Sequence, residues 1–307
     1  MPDNKLRFKK ELLHPRHLGS WVVLFMAAII SLLPQRQRHC LGRLIGGYLY
    51  RNNAKRRTTV QSNLRQVFPD ISEDKLQQMV RDNLNWYGNA LVDYGLFFFA
   101  SKKRLQKQTS IIGEALLEQV RQHEQPIILL LAHSAMLEFA VIALSANFKS
   151  FGSYKASSDP VLDWMIARSR CRFADFVVSR DDGLRPLIRA IKSQRIMIFL
   201  PDEDLGLENS VFAAFFGRQK ATLTTPARLT RMSGATAVAG FVAFDESIKQ
   251  YQLRLKEMPI DYPKGESEAD ALALNQALES LIVQSPEQYL WVMKCYRTIS
   301  PEDQKLY

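Results

Sequence analysis

A chain of 307 residues, 47% hydrophobic and 23% charged, is long and apolar enough to bury one large core, which argues against a disordered protein. The net charge of +10 suggests nucleic acid, but the whole surplus lies in residues 1–57, where twelve Lys or Arg face only Asp3 and Glu11; the rest balances 29 basic against 29 acidic residues. With no helix-turn-helix, finger or RRM signature, no nucleic-acid partner is expected, and the basic end reads as a segment facing anionic lipid. Cys40, Cys171 and Cys295 are odd in number, far apart and outside any CxxC or Cys/His cluster. Neither a disulfide framework nor a metal site is expected, and the body suits a reducing compartment.

The first element is the uncharged run from Leu18 to Gln35, with Trp21, Val22, Val23, Leu24, Phe25, Met26, Ile29, Ile30, Leu32 and Leu33. A spanning helix wants about 20 apolar residues and this run ends at Pro34, so crossing a thin bilayer, inserting obliquely or lying in the interface all stay open. Pro-Gln-Arg-Gln-Arg follows Leu33 where a signal peptide would carry small residues, so the expectation is a retained anchor. Residues 1–50 then form a basic, apolar membrane-anchor segment and 51–307 the catalytic domain. From Arg51 to Lys107 the apolar residues recur at helical spacing, Val60, Leu64 and Val67, then Leu76, Met79, Val80, Leu84, Tyr87 and Leu91, with Ser72 as the N-cap of the second stretch. Leu96-Phe97-Phe98-Phe99 reads as core, or as one wall of a lipid groove.

After residue 110 short apolar runs alternate with amphipathic helices, which predicts an α/β fold with a mostly parallel central sheet flanked by helices. Candidate strands are 126–132, 176–178, 195–200 and 236–243; 251–255 alternates strictly, as an edge or antiparallel strand does. Candidate helices are 134–146, 160–171, 183–193, 223–232 and 268–283. Open sheets of this kind bind ligands beyond the carboxyl ends of their strands.

The first of those ends carries Ala132-His133-Ser134-Ala135-Met136-Leu137-Glu138. On one continuous helix the histidine and glutamate would point about 140° apart, so His133 is expected in the turn before the helix. Ser134 is a natural N-cap, but its capping-box position is Leu137, and capping does not explain Glu138. A His-x4-acid match is unspecific by itself; order makes it specific. Ser179-Arg180-Asp181 follows one strand, Phe199-Leu200-Pro201-Asp202-Glu203-Asp204-Leu205-Gly206 the next, and the apolar strand Ala237 to Val242 comes after. This order resembles the four motif blocks of the glycerolipid acyltransferase superfamily.

A closer resemblance, over roughly residues 50–300, is to the lauroyl and myristoyl transferases of lipid A biosynthesis. It is carried by Ser62-Asn63-Leu64 with Phe68-Pro69, Pro160 to Trp164, Arg170-Cys171-Arg172, and Arg180-Asp181 leading into Leu187 to Ala190. Pro201 to Asp204 with Gly206, Ser210 to Phe212, Phe215 to Gly217, Ala221-Thr222 and Ala227-Arg228 continue it, and the tail Ser285 to Trp291 with Arg297-Thr298 completes it. Met136-Leu137-Glu138 stands where the family usually ends in Asn-Trp-Glu, and Glu203 where Gln or His is common.

The resemblance implies acyl transfer from an acyl carrier protein thioester, with an acyl-coenzyme A as the other possible donor, to a hydroxyl of a phosphorylated, Kdo-bearing lipid A precursor. His133 would be the general base, with Glu138 holding its tautomer, and no enzyme nucleophile or cofactor is needed. Arg170 and Arg180 are the candidate phosphate ligands, with Arg172 behind them. Asp202, Glu203 and Asp204 would orient those arginines or shape the substrate site, the plain alternative being a capped loop before Gly206. Arg185, Arg189 and Lys192 read as the solvated face of a helix. Trp86, Trp164 and Phe97 to Phe99 are acyl-slot or core residues. Membrane lipids are expected partners, at a bacterial inner membrane with the catalytic domain on the cytoplasmic side. A lysophospholipid or other glycolipid acyltransferase and a non-catalytic adaptor on anionic lipid are the alternatives.

Overall fold

Apolar side chains on both faces of the central strands demand a sheet covered on both sides. A computed structural model describes residues 8–154, 157–179, 184–193, 195–301 and 303–307. Seven strands form one sheet in the order β1-β9-β8-β2-β5-β3-β4: β1 Thr109–Ile112, β2 Ile127–Leu131, β3 Ser150–Tyr154, β4 Phe176–Ser179, β5 Ile196–Phe199, β8 Thr236–Asp245 and β9 Gln250–Glu257. All neighbours are parallel except β8 and β9. β6 Ser210–Phe215 and β7 Arg218–Leu223 form a separate antiparallel hairpin that turns at Phe216 and Gly217, both at positive φ.

One face of the sheet, with Ile128, Leu130, Ala237, Ala239 and Phe241, packs on α3 (Ala54–Val67), the first half of α4 (Glu73–Phe99) and α11 (Ser267–Ile282). The other, with Leu129, Leu131, Val238 and Val242, packs on the second half of α4, α6 (Glu114–Gln122) and α7 (Phe139–Leu144). Helix α4 is thus long enough to serve both cores. The Ser72 hydroxyl caps it from Lys75 N–H, as expected.

At the N-terminus, α1 (Leu18–Leu32) stops where Leu33 turns extended and Pro34 opens α2 (Gln35–Asn52). Pro15–Leu32 is the one helical segment among the described residues long and apolar enough to cross a membrane. Val22, Val23, Phe25, Met26, Ile29 and Leu32 are exposed on it, while Leu24 packs with Leu12, Val161 and Met165. Helix α2, which spans residue 50, lies so close to α4 that a Cβ on Gly88 would stand 2.2 Å from the Gly42 carbonyl oxygen.

The structure has each expected strand, and adds β1, β3, β6 and β7. It corrects one element. The helix expected over 134–146 is only α7, because the backbone of 133–135 is bonded to the C-terminal segment: Leu290 N–H donates to the His133 carbonyl, Ala135 N–H to the Gln288 carbonyl, and Ser134 pairs with Tyr289. Ser134 therefore caps no helix; its hydroxyl accepts from Met136 N–H inside the turn. Of the two readings of the alternating run 251–255, the antiparallel one holds: β9 runs antiparallel to β8 and also pairs in parallel with β1, inside the sheet.

Candidate active site

Strand β2 ends at Leu131, and the turn that follows carries His133 at the carboxyl end of the sheet. Strand β5, its neighbour, ends at Phe199 and delivers Asp202 to the same place. The Asp202 carboxylate grips His133 twice: Oδ2 accepts the backbone N–H at 2.8 Å, and Oδ1 lies 2.6 Å from Nδ1. Tyr289 donates its hydroxyl to Oδ2 at 2.8 Å. Asp202 and Tyr289 are fully enclosed, whereas the imidazole keeps 13% of its surface exposed. Burial opposes ionisation of Asp202 most strongly, but the facing imidazole, its two bonds and the Tyr289 hydroxyl outweigh it and hold the carboxyl below its usual value. Burial and the Asp202 charge push the Tyr289 phenol well up, so it stays a donor.

The sequence reading gave Glu138 the task of steering the imidazole; the carboxylate bonded to Nδ1 is that of Asp202. Glu138 sits at the mouth of α7 and is held by Arg170, whose Nε lies 3.2 and 3.1 Å from its two oxygens and whose Nη2 also bonds Oε1. Arg170 comes from the end of α8 (Pro160–Arg170), a helix started by Pro160 and by Asp159, which accepts from Val161 and Leu162 N–H. Burial first, and the Glu138 charge second, raise the Tyr94 phenol that lies against this pair. A narrow apolar seam of about 10 Å³ runs from Glu138 between Ala90, Tyr94, Phe97, Met136 and Phe139.

Among the described residues Asp204 bonds no arginine. Its carboxylate accepts the N–H and hydroxyl of Thr298 at 2.7 and 2.6 Å and the N–H of Gly206 at 3.1 Å, fixing the loop where Gly206 takes a φ of +96° and pinning the tail to it. Glu203 lines a polar cleft of about 350 Å³ with Asp202, Asp204, Met293, Lys294, Cys295 and Arg297. Arg172 is committed elsewhere than phosphate: its guanidinium bonds the carbonyls of Phe97, Phe98 and Ala100, the orphan acceptors at the end of α4. Arg180 lies outside the described residues. Arg185, Arg189 and Lys192 are exposed on α9 (Leu184–Ile191), the solvated face expected. Trp86 packs in the core against His39 and Phe244, and Trp164 against Phe8 and Trp21. Phe97 is buried and Phe99 part-exposed. Among the described residues no three His, Cys, Asp or Glu side chains gather as metal ligands.

The C-terminal segment, read from sequence as a signature only, is strapped across the fold beside the site. Asn83 Nδ2 donates to the carbonyls of Glu287 and Tyr289, Asn63 Nδ2 to those of Trp291 and Met293, and Gln288 exchanges two bonds with the backbone of Phe244. An inward polar residue on an otherwise apolar helix face, as Asn63 and Asn83 are, was the signal available for this strap.

Residues 5–298 match the model of the bacterial lipid A biosynthesis acyltransferases. The chain belongs to that family. It is 29% identical over 292 residues to a lipid A biosynthesis acyltransferase of Haemophilus influenzae, covering 95% of this chain and 91% of that one. A lipid A biosynthesis lauroyltransferase of Escherichia coli is 29% identical over 296 residues, 96% of each chain, and an Escherichia coli myristoyltransferase of the same pathway 26% identical over 295 residues, 96% of this chain and 91% of that one. This member is an acyltransferase of lipid A biosynthesis, which sets the adaptor alternative aside. Relatives named for different acyl chains stand at nearly the same identity, so overall similarity does not choose the chain transferred.

Proposed function

We propose that the enzyme moves a fatty acyl chain from an acyl carrier protein thioester to a hydroxyl of a phosphorylated, Kdo-bearing lipid A precursor, with His133 as general base. The observation that carries this reading is the bond between Nδ1 and Asp202. A carboxylate at Nδ1 keeps that nitrogen protonated and leaves the Nε2 lone pair as the base, and it stabilises the imidazolium once formed. The hydroxyl gives its proton to Nε2 as its oxygen attacks the thioester carbonyl. The new ester C–O bond forms, the C–S bond breaks, and the departing thiolate takes the proton from the imidazolium. Neither an enzyme nucleophile nor a further cofactor is required, and backbone N–H groups or a basic side chain would meet the oxyanion.

In this reading Arg170 and Arg180 bind phosphate on the acceptor. Glu138 acts through Arg170, holding its fork in one plane, and Glu203 belongs to the wall of the acceptor cleft. The exposed apolar face of α1 and the basic residues around it suit the cytoplasmic leaflet of a bacterial inner membrane, where a lipid acceptor meets a soluble carrier. The test is turnover of H133A with radiolabelled acyl carrier protein and a tetraacylated, sugar-extended lipid A precursor. A loss of at least a thousandfold with lipid binding retained is expected; wild-type turnover in that variant, or wild-type activity on lysophospholipid alone, would contradict the reading.

A further inference from the structure

The site leaves one charge unexplained. Lys220, on strand β7, is fully enclosed, and its Nζ has no hydrogen-bond partner among the described residues. Its Nζ sits 5.6 Å from the Phe215 ring, which also packs on Tyr289 and Tyr296. A buried lysine without a partner is among the costliest groups a core can hold, and long side chains normally escape it by reaching water. Lys220 does not reach it.

The titratable groups that act on Lys220 are Asp202 and Asp204, from the loop after β5, and Cys295, beside Tyr289 on the C-terminal strap. Helix α11 packs on the same hairpin, where Asn275 bonds Thr222 Oγ1 and Glu279 accepts Phe216 N–H. Burial drives the Lys220 ammonium down, and the Asp202, Cys295 and Asp204 side chains oppose that. Burial pushes the Cys295 thiol up to about 12, so it stays neutral and offers Lys220 no charge. An enclosed carboxylate is held ionised at lower cost with a cation nearby. His133 supplies one only during turnover.

We propose that Lys220 is the permanent countercharge of the Asp202–Asp204 pair and a positioning residue that acts on His133 through Asp202. The inference rests on His133 being the base. With a neutral imidazole, the two aspartates and Lys220 sum to one negative charge; with the imidazolium they sum to zero, so the charged intermediate is the balanced state. Without Lys220 the pair would hold a proton more tightly, on the imidazole or on Asp202, and the base would be occupied at higher pH.

The experiment compares full-length K220R, K220Q and K220M with the wild type, recording kcat/KM from pH 5 to 9 and the thermal midpoint of each. K220R is expected to keep the acid limb where it is. K220Q and K220M are expected to move it at least half a pH unit to the alkaline side, about a threefold loss below the limb, with KM little changed. A neutral variant whose limb stays put, whatever its thermal midpoint, overturns the proposal and leaves Lys220 a packing residue. If neither neutral variant folds, the Nζ resonance of wild-type protein labelled with 15N-lysine, assigned by its absence in K220R, decides. An ammonium at pH 7 supports the proposal, and a neutral amine overturns it. H133A separates the two readings: full turnover there removes the base and this inference together, while a dead H133A beside an unmoved K220Q limb removes only Lys220.

Discussion

Two carboxylates flank the turn 133–138, and they are held in different ways. Asp202 is locked by a backbone N–H, a ring nitrogen and a buried tyrosine, with 1% of its side chain exposed. Glu138 is bound to one arginine side chain that is 24% exposed and that arrives on a helix packed against the N-terminal segment. A group fixed by backbone is suited to holding another group still; one fixed by a partly wet guanidinium can exchange partners when a phosphate arrives. In the proposed reading the contrast divides the site into a positioning half under the C-terminal strap and a substrate-facing half beside α8.

The most severe way to break this division is D202N, which removes the charge while keeping the shape. Turnover is expected to fall about 10³- to 10⁴-fold, as when the orienting acid of a triad loses its charge, checked by single-turnover kinetics on folded protein. If Glu138 instead steered the imidazole, D202N would be mild. R170A comes next: about a 10- to 100-fold fall in kcat/KM, expressed chiefly as a higher KM for the acceptor, with R170K recovering little because an ammonium cannot span two oxygens. Y289F sharpens the positioning half alone. Removing one hydrogen bond to a buried carboxylate costs about 1.5–3 kcal/mol, read by chemical denaturation, with KM unchanged.

Acid provides a gentler probe. Asp202 and Asp93 are both held below the usual carboxyl range against their burial, Asp93 by His39, Arg38 and Tyr251. A depressed carboxyl contributes its full stabilisation above the unfolded value of 3.8 and loses it as pH falls through the lower folded value. The thermal midpoint is therefore expected to hold from pH 7 to about 5 and to drop below about pH 4, with a shallower drop in D202N. Smallest of all, a charge placed on the exposed face of α1, F25D, should weaken binding to anionic vesicles while leaving turnover on detergent-dispersed substrate within about twofold.

Much of this was legible in the sequence, for identifiable reasons. Strands β2, β5 and β8 are apolar runs bounded by turns, and Pro34, Ser72 and Pro160 mark their helix ends by chemistry that acts locally. The His133–Asp202 pair was not legible, because a contact across 69 residues is made by two strands lying side by side, and local spacing favours the carboxylate five positions away. For the same reason the helix expected at Ser134 begins five residues late: hydrogen bonds from residues 288–290 override the local capping preference. Lys220 carries no signal at all, since an alternating strand places a lysine inward or outward with equal ease until its partner strand is known.

The central claim is that the imidazole of His133, steered by Asp202, takes the proton from the acceptor hydroxyl. Its most direct test is the pH dependence of the residual transfer by H133A. The account predicts a rate at least a thousandfold lower that no longer falls on the acid side, because the group whose protonation shuts the enzyme down is gone; an acid limb that survives at its wild-type position would contradict it.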